Sequence, residues 1–245
     1  MFHNGIIGVG MLELKNLSKN FGKKKAVDNL SMSLEAGDIF GFIGPNGAGK
    51  TTTLKMIVGI LEADSGEVIV DGENLKDNDL SVKSKIAYIP DNPEIYDFLK
   101  GIDYLNFMAG VFNVDNKRKD ELIEHYAKDL DLYDNLGDLV SSYSHGMKQK
   151  LAIIGALIHE PKLFILDEPF VGLDPIATHK LKTYFKQHVK EGGTVLFSTH
   201  VLEVAEKLCN KIAIIKEAKL IKVGKTKDIT KDKSLENVFL ELGNE

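Results

Sequence analysis

The chain has 245 residues, a length compatible with one large α/β unit carrying an insertion or with two small domains. Apolar side chains make up 43% of it, enough to fill a core, and the formal net charge of −5 comes from acidic and basic residues mixed along the length. That mixture lacks the concentrated basic footprint of a nucleic-acid binder. No apolar run approaches the roughly 20 residues that cross a bilayer. The one cysteine, Cys209, excludes an internal disulfide and fits a reducing compartment, as a small core residue.

Residues 1–10 are too short for a signal peptide and lack its basic start. They read as an N-terminal extension or a cloning remnant without function, and Met11 reads as the more natural start. From there Leu12, Leu14 and Leu17 alternate as in a half-buried strand, a pattern repeated at Leu30 to Leu34 and Glu67 to Val70. Between these, Asp38 to Ile43 reads as a buried strand, and Leu54, Ile57, Val58 and Leu61 fall on one face of a helix.

The segment joining that strand to that helix, Gly44-Pro-Asn-Gly-Ala-Gly-Lys-Thr51, matches the phosphate-loop pattern Gly-x-x-x-x-Gly-Lys-Ser/Thr. Gly44, Gly47 and Gly49 can take positive-φ conformations that turn backbone N–H groups toward an anion. Lys50 then reaches the β- and γ-phosphates, and the Thr51 hydroxyl ligates Mg²⁺. The helix N-terminus adds its own attraction for phosphate, so Asn46, Gly47, Ala48, Gly49, Lys50, Thr51 and Thr52 form the candidate cradle. Chance would bring the four fixed positions together in roughly 1% of chains this long, and the strand and helix on either side lower those odds further.

From about residue 97 the apolar period becomes helical. Ile102, Leu105, Ala109 and Phe112 recur at that spacing, then Leu122, Ile123, Tyr126, Ala127 and Leu130. A further helix follows Ser142-Tyr-Ser-His-Gly-Met-Lys-Gln149 and runs to about His159. Ser144 and Gly146 at its start would offer a hydroxyl, backbone N–H groups and a positive dipole end, a second anion site. One ATP does not need two distant cradles, so this one would serve a nucleotide held by another subunit; on spacing alone, an ordinary serine-capped helix stays open. Strand signals return at Leu163 to Leu166, Thr194 to Ser198, Ile212 to Ile215 and Leu220 to Val223. The first ends in two acids: Asp167 suits a Mg²⁺ held through water, and Glu168 suits the orientation of an attacking water as general base.

In this order, GPNGAGKT, YSHGMKQK, LFILDEP, GLDP and the histidine of STH resemble the ABC-type ATPases, the nucleotide-binding subunits of ABC transporters. The resemblance covers essentially residues 11–242 and extends to the single-domain ATPases of bacterial exporters, including the Ecs-like group. It implies an α/β P-loop NTPase with a RecA-like core, an antiparallel β subdomain and an α-helical insert. Residues 11–91 and 161–225 would form the nucleotide-binding core, about 92–160 the helical subdomain and 226–245 a short tail.

For the site, the resemblance implies that Phe21 stacks on adenine, a core aromatic being the other reading. Ser144 and Gly146 would contact the γ-phosphate across a head-to-tail dimer, with Asp174 at its seam. His200 would hydrogen-bond the γ-phosphate and position the water beside Glu168 and Lys50, and the other six histidines read as surface or packing residues. ATP and Mg²⁺ are the implied cofactors. The implied partners are a second copy or homologous ATPase and a separate transmembrane permease at the cytoplasmic face, docked on Asn92 to Tyr104; no nucleic-acid partner is expected. ATP-driven closure of the pair would power an exporter. A soluble ABC ATPase of DNA repair or translation, or a non-hydrolysing nucleotide-gated module, are the alternatives. Two departures stand out: Asp91, a candidate metal contact, replaces the family's glutamine, and His145 and Met147 add bulk at the dimer seam.

Overall fold

The computed structural model describes residues 10–243, so the expected extension, apart from Gly10, lies outside the described residues. Alternating side chains build the first sheet. β1 (Leu12–Phe21) and β2 (Lys24–Leu34) form an antiparallel hairpin, after which the chain runs through β3 (Ile39–Ile43) and α1 (Lys50–Ile57). It returns in β4 (Ser65–Val70) and β5 (Glu73–Asn74) to give the antiparallel order β2-β1-β4-β5. The β2 pattern begins six residues before Leu30 because Asn29 takes a positive φ of 52° and the pairing with β1 shifts register nearby, which hides the alternation of the first half.

α2 (Asp79–Ser84) and β6 (Ile86–Ile89) lead to three helices, α3 (Gly101–Val111), α4 (Asn116–Asp129) and α5 (His145–Ile158). Then come β7 (Leu163–Asp167), α6 (Pro175–Lys190), β8 (Thr194–Thr199), α7 (Leu202–Leu208), β9 (Lys211–Lys216) and β10 (Lys219–Lys225). The chain closes with α8 (Thr226–Thr230) and α9 (Leu235–Gly243), which pack against β10 and α7, so the expected tail carries two helices. The second sheet has the order β10-β9-β3-β8-β7-β6, parallel from β9 to β6.

Parallel strands covered on both faces need apolar residues on both. Phe40, Phe42, Leu163, Ile165 and Leu196 pack against α1 and the antiparallel sheet. Ile39, Ile43, Phe164, Leu166, Val195 and Phe197 pack against the helical side, with Leu105, Ile154 and Phe185. Cys209 is buried there as expected, and burial pushes its thiol pKa up. Because Ile43 pairs with Thr199 and Asp167 with Ser198, the C-terminal ends of β3, β7 and β8 lie side by side. That edge is where an open parallel sheet binds its ligands.

α5 ends against β6 through His159, whose ring stacks on Phe112 with centroids 3.7 Å apart and whose Nε2 lies 3.3 Å from the Ile86 carbonyl oxygen. Burial lowers the pKa of His159, and likewise that of His188. The unfolded chain therefore takes up these protons first as pH falls. Stability is present above the ordinary histidine pKa and is lost as pH drops through it toward the lower folded values. Melting temperature is expected to fall between about pH 7.5 and 5, and to fall less steeply in His159→Leu. An identical slope in that variant would show that His159 does not contribute.

Candidate functional site

The loop after β3 closes tightly over the sheet edge. Gly47 and Gly49 have φ of 80° and 108°, and a Cβ on Gly49 would stand 2.3 Å from the Ala26 carbonyl oxygen. Gly44 departs from the expected positive φ: it is required by close approach instead, since its Cβ would meet the Ile215 carbonyl oxygen at 2.5 Å. Ala48 is buried beneath the loop.

Of the residues expected at a nucleotide site, Phe21, Asn46, Gly47, Gly49, Lys50, Thr51, Thr52, Asp91, Asp167 and Glu168 line one cleft of about 350 Å³. Lys24 and Ala26 of β2 complete it. They escaped the sequence reading because only the sheet pairing brings β2 to the loop. Phe21 is 53% exposed, so it is a wall of the cleft rather than a core aromatic.

The buried Lys50 ammonium donates to the carbonyl oxygens of Gly44 at 2.7 Å and Pro45 at 3.3 Å, and lies 3.7 Å from Glu168 Oε1. The same Oε1 is 2.9 Å from Nδ1 of His200. An ionised carboxylate only accepts, so Nδ1 carries the proton of that bond and Nε2 points elsewhere. Glu168 thus bridges a cation and an imidazole. Its backbone takes φ 48°, a left-handed conformation that costs a non-glycine residue about 1 kcal/mol or more.

Asp167 accepts a 2.5 Å hydrogen bond at Oδ1 from the Ser198 hydroxyl, and its Oδ2 is buried without a protein partner. The Ser198 Oγ also accepts the Glu168 N–H at 3.0 Å. Sequence reading passed over Ser198; the signal was a hydroxyl directly after the apolar run Val195 to Phe197 in a fully buried strand. An orphaned carboxylate oxygen on a residue that shares the cleft with Thr51 and Asp91 suits a hard cation such as Mg²⁺. Among the described residues no cluster of three or more His, Cys, Asp or Glu is disposed to hold a metal unaided.

Ser144, Gly146 and Asp174 line no part of this cleft. They form a second locus at the start of α5. The Ser144 Oγ caps α5 by accepting the Met147 N–H at 3.2 Å. A Cβ on Gly146 would come within 2.7 Å of the Gly172 carbonyl oxygen. The His145 ring lies against Gly172, where a Cβ would be 2.5 Å from its Cδ2, yet His145 as a whole stays exposed. Asp174 caps α6 by accepting the Ala177 N–H at 2.8 Å and pairs with Lys150 at 2.8 Å; both contacts lower its pKa.

A third feature is an apolar groove of about 460 Å³ between the end of α1, β6 and the α3 and α5 helices, lined by Ile60, Pro93, Ile95, Tyr104 and Met108 among others. Tyr96 and Phe98, 67% and 75% exposed, lie in the same segment after Asp91.

The model of the ABC transporter family matches residues 27–171, more than half of the chain. The chain is an ABC-type ATPase. Curated relatives of the ATPase include the uncharacterized ABC transporter ATP-binding protein YhcH of Bacillus subtilis, 39% identical over 89% of this chain and 71% of that protein. The ABC-type transporter ATP-binding protein EcsA of B. subtilis is 31% identical over 97% of this chain and 98% of its own. The SkfA peptide export ATP-binding protein SkfE of the same organism is 33% identical over 86% and 87%. Among solved structures, an ATP-binding subunit of an ABC transporter superposes with a TM-score of 0.91 at 31% identity, covering 95% of the ATPase and 99% of that chain. A dimeric post-hydrolysis cassette, MJ0796 bound to ADP and Pi, shares the fold with a TM-score of 0.79 at 23% identity, covering 88% and 99%. No helix among the described residues of the ATPase is long and apolar enough to cross a membrane.

Proposed function

We propose that this ATPase is the MgATP-hydrolysing subunit of a membrane exporter, working as a pair of cassettes on a separate transmembrane chain at the cytoplasmic face. The observation that carries the reading is the separation of the two anion sites. The phosphate loop, Asp167 and Glu168 share one cleft, while Ser144 and Gly146 stand outside it, exposed or half-exposed. A second cassette, identical or homologous, would bring its Ser144 segment to the γ-phosphate and Asp174 to the seam. The dimeric MJ0796 cassette supports such pairing, and the peptide export named for SkfE supports the direction.

Within the cleft, Lys50 exchanges the Gly44 and Pro45 carbonyls for the β- and γ-phosphates, and Phe21 offers its exposed face to adenine. Bound Mg²⁺, held through Thr51, Asp167 and Asp91, would neutralise phosphate charge. Glu168 takes the proton of the attacking water. His200 orients Glu168 through Nδ1, and Nε2, once protonated, donates to the γ-phosphate. Residues 11–91 and 161–225 act as the nucleotide core, about 92–160 as the helical subdomain, and 226–245 as a short tail.

The groove beside Asp91 suits an amphipathic cytoplasmic helix of the permease. Capture of the tagged chain from detergent-solubilised membranes is expected to recover an integral membrane protein. Ile60→Asp, which puts a charge on an exposed groove residue, is expected to lower that recovery about tenfold or more. Recovery only with ribosomes or DNA would favour a soluble translation or repair factor instead.

A further inference from the structure

We infer that Ser198 is a positioning residue for ATP hydrolysis: its hydroxyl holds the Asp167 carboxylate and the Glu168 backbone in fixed relation. The inference rests on the proposed roles of those two acids. β8 pairs with β7 so that Ser198 stands opposite Asp167, with Phe42 of β3 on its other side, and Ser198 is fully buried, where a hydroxyl needs protein partners. It has one proton to give and lone pairs to receive. The proton goes to Asp167 Oδ1 at 2.5 Å, and a lone pair receives the Glu168 N–H at 3.0 Å.

Two consequences follow for the reacting groups. Binding Oδ1 leaves Oδ2 as the Asp167 oxygen without a protein partner, so the hydroxyl selects which oxygen is available toward a cation. Holding the Glu168 N–H stabilises the left-handed backbone, φ 48°, that sets the side chain between Lys50 and His200. The chain of N–H to hydroxyl to carboxylate polarises along its length, so each bond strengthens the other. Without the hydroxyl, two buried polar groups lose a partner and the strained turn loses its tether.

The test compares Ser198→Thr, Ser198→Val and Ser198→Ala in the full chain. Threonine and valine have the same shape and differ only in the hydroxyl. Ser198→Thr is expected to keep kcat within about threefold, whereas Ser198→Val loses about 10- to 100-fold with KM for ATP little changed. The Mg²⁺ midpoint for binding a fluorescent ATP analogue, measured without turnover, is expected to rise several-fold in Ser198→Val and not in Ser198→Thr. Equal kcat and equal Mg²⁺ midpoints in the two variants would overturn the inference. If the added methyl groups prevent folding, Ser198→Ala decides: wild-type kcat and Mg²⁺ midpoint there would overturn it as well. A Glu168→Gln chain with intact turnover would remove the base reading alone, and the Mg²⁺ midpoint of Ser198→Val would still decide the role toward Asp167.

Discussion

Glu168→Gln is expected to cut steady-state phosphate release by about 10²- to 10⁴-fold while the chain still binds ATP. Glutamine keeps the shape of the side chain and can still accept from His200 Nδ1, but it cannot take a proton from water. It also removes the negative charge 3.7 Å from the Lys50 ammonium, next to where phosphate charge would sit. Nucleotide affinity is therefore expected to hold or rise, and the ATP-bound pair to accumulate. Phosphate-release assays with light scattering of the same sample check both halves. Unchanged turnover would sink the assignment of the base.

Ser144→Asp is expected to lower turnover by about 10²-fold without loosening the fold. Aspartate is as good an N-cap as serine, so the bond to the Met147 N–H survives and the melting temperature changes little. What changes is a negative charge at the helix start, where the proposed pairing needs hydroxyl and N–H donors facing a γ-phosphate. ATP binding by one chain, through its own phosphate loop, is expected to stay within a few-fold, because Ser144 does not line that cleft. Full turnover in Ser144→Asp would leave the α5 start as nothing more than a capped helix.

What the sequence made legible follows from how local each demand is. A phosphate loop must be contiguous, because adjacent backbone N–H groups do the binding, so Gly44 to Thr51 could be read directly. The acid pair was legible because a buried strand must end where Asp167 and Glu168 begin. Ser198, Lys24 and Ala26 were not, since Lys24 and Ala26 reach the cleft from β2 and Ser198 reaches Asp167 from β8, all through the folding of separate strands together. Gly44 was read as a glycine for the wrong reason: contact with Ile215, more than 100 residues away in the chain, decides it. The contact of His145 with Gly172 could be found only in three dimensions, because the two are joined by the fold and not by sequence. Of the two helices in residues 226–243, α8 was missed because it is a single short turn packed on β10, too short to show a period of its own.

If each ATP site is completed by the other chain, Lys50→Ala and Ser144→Asp complement one another when mixed. Each variant alone spoils both sites of its own homodimer. In the mixed pair, one site combines the intact phosphate loop of one chain with the intact Ser144 segment of the other. An equimolar mixture is expected to recover about a quarter of wild-type turnover if subunits exchange freely and one intact site suffices. Mixed pairs shown to form with differently tagged chains, yet no more active than either variant alone, would contradict the shared site.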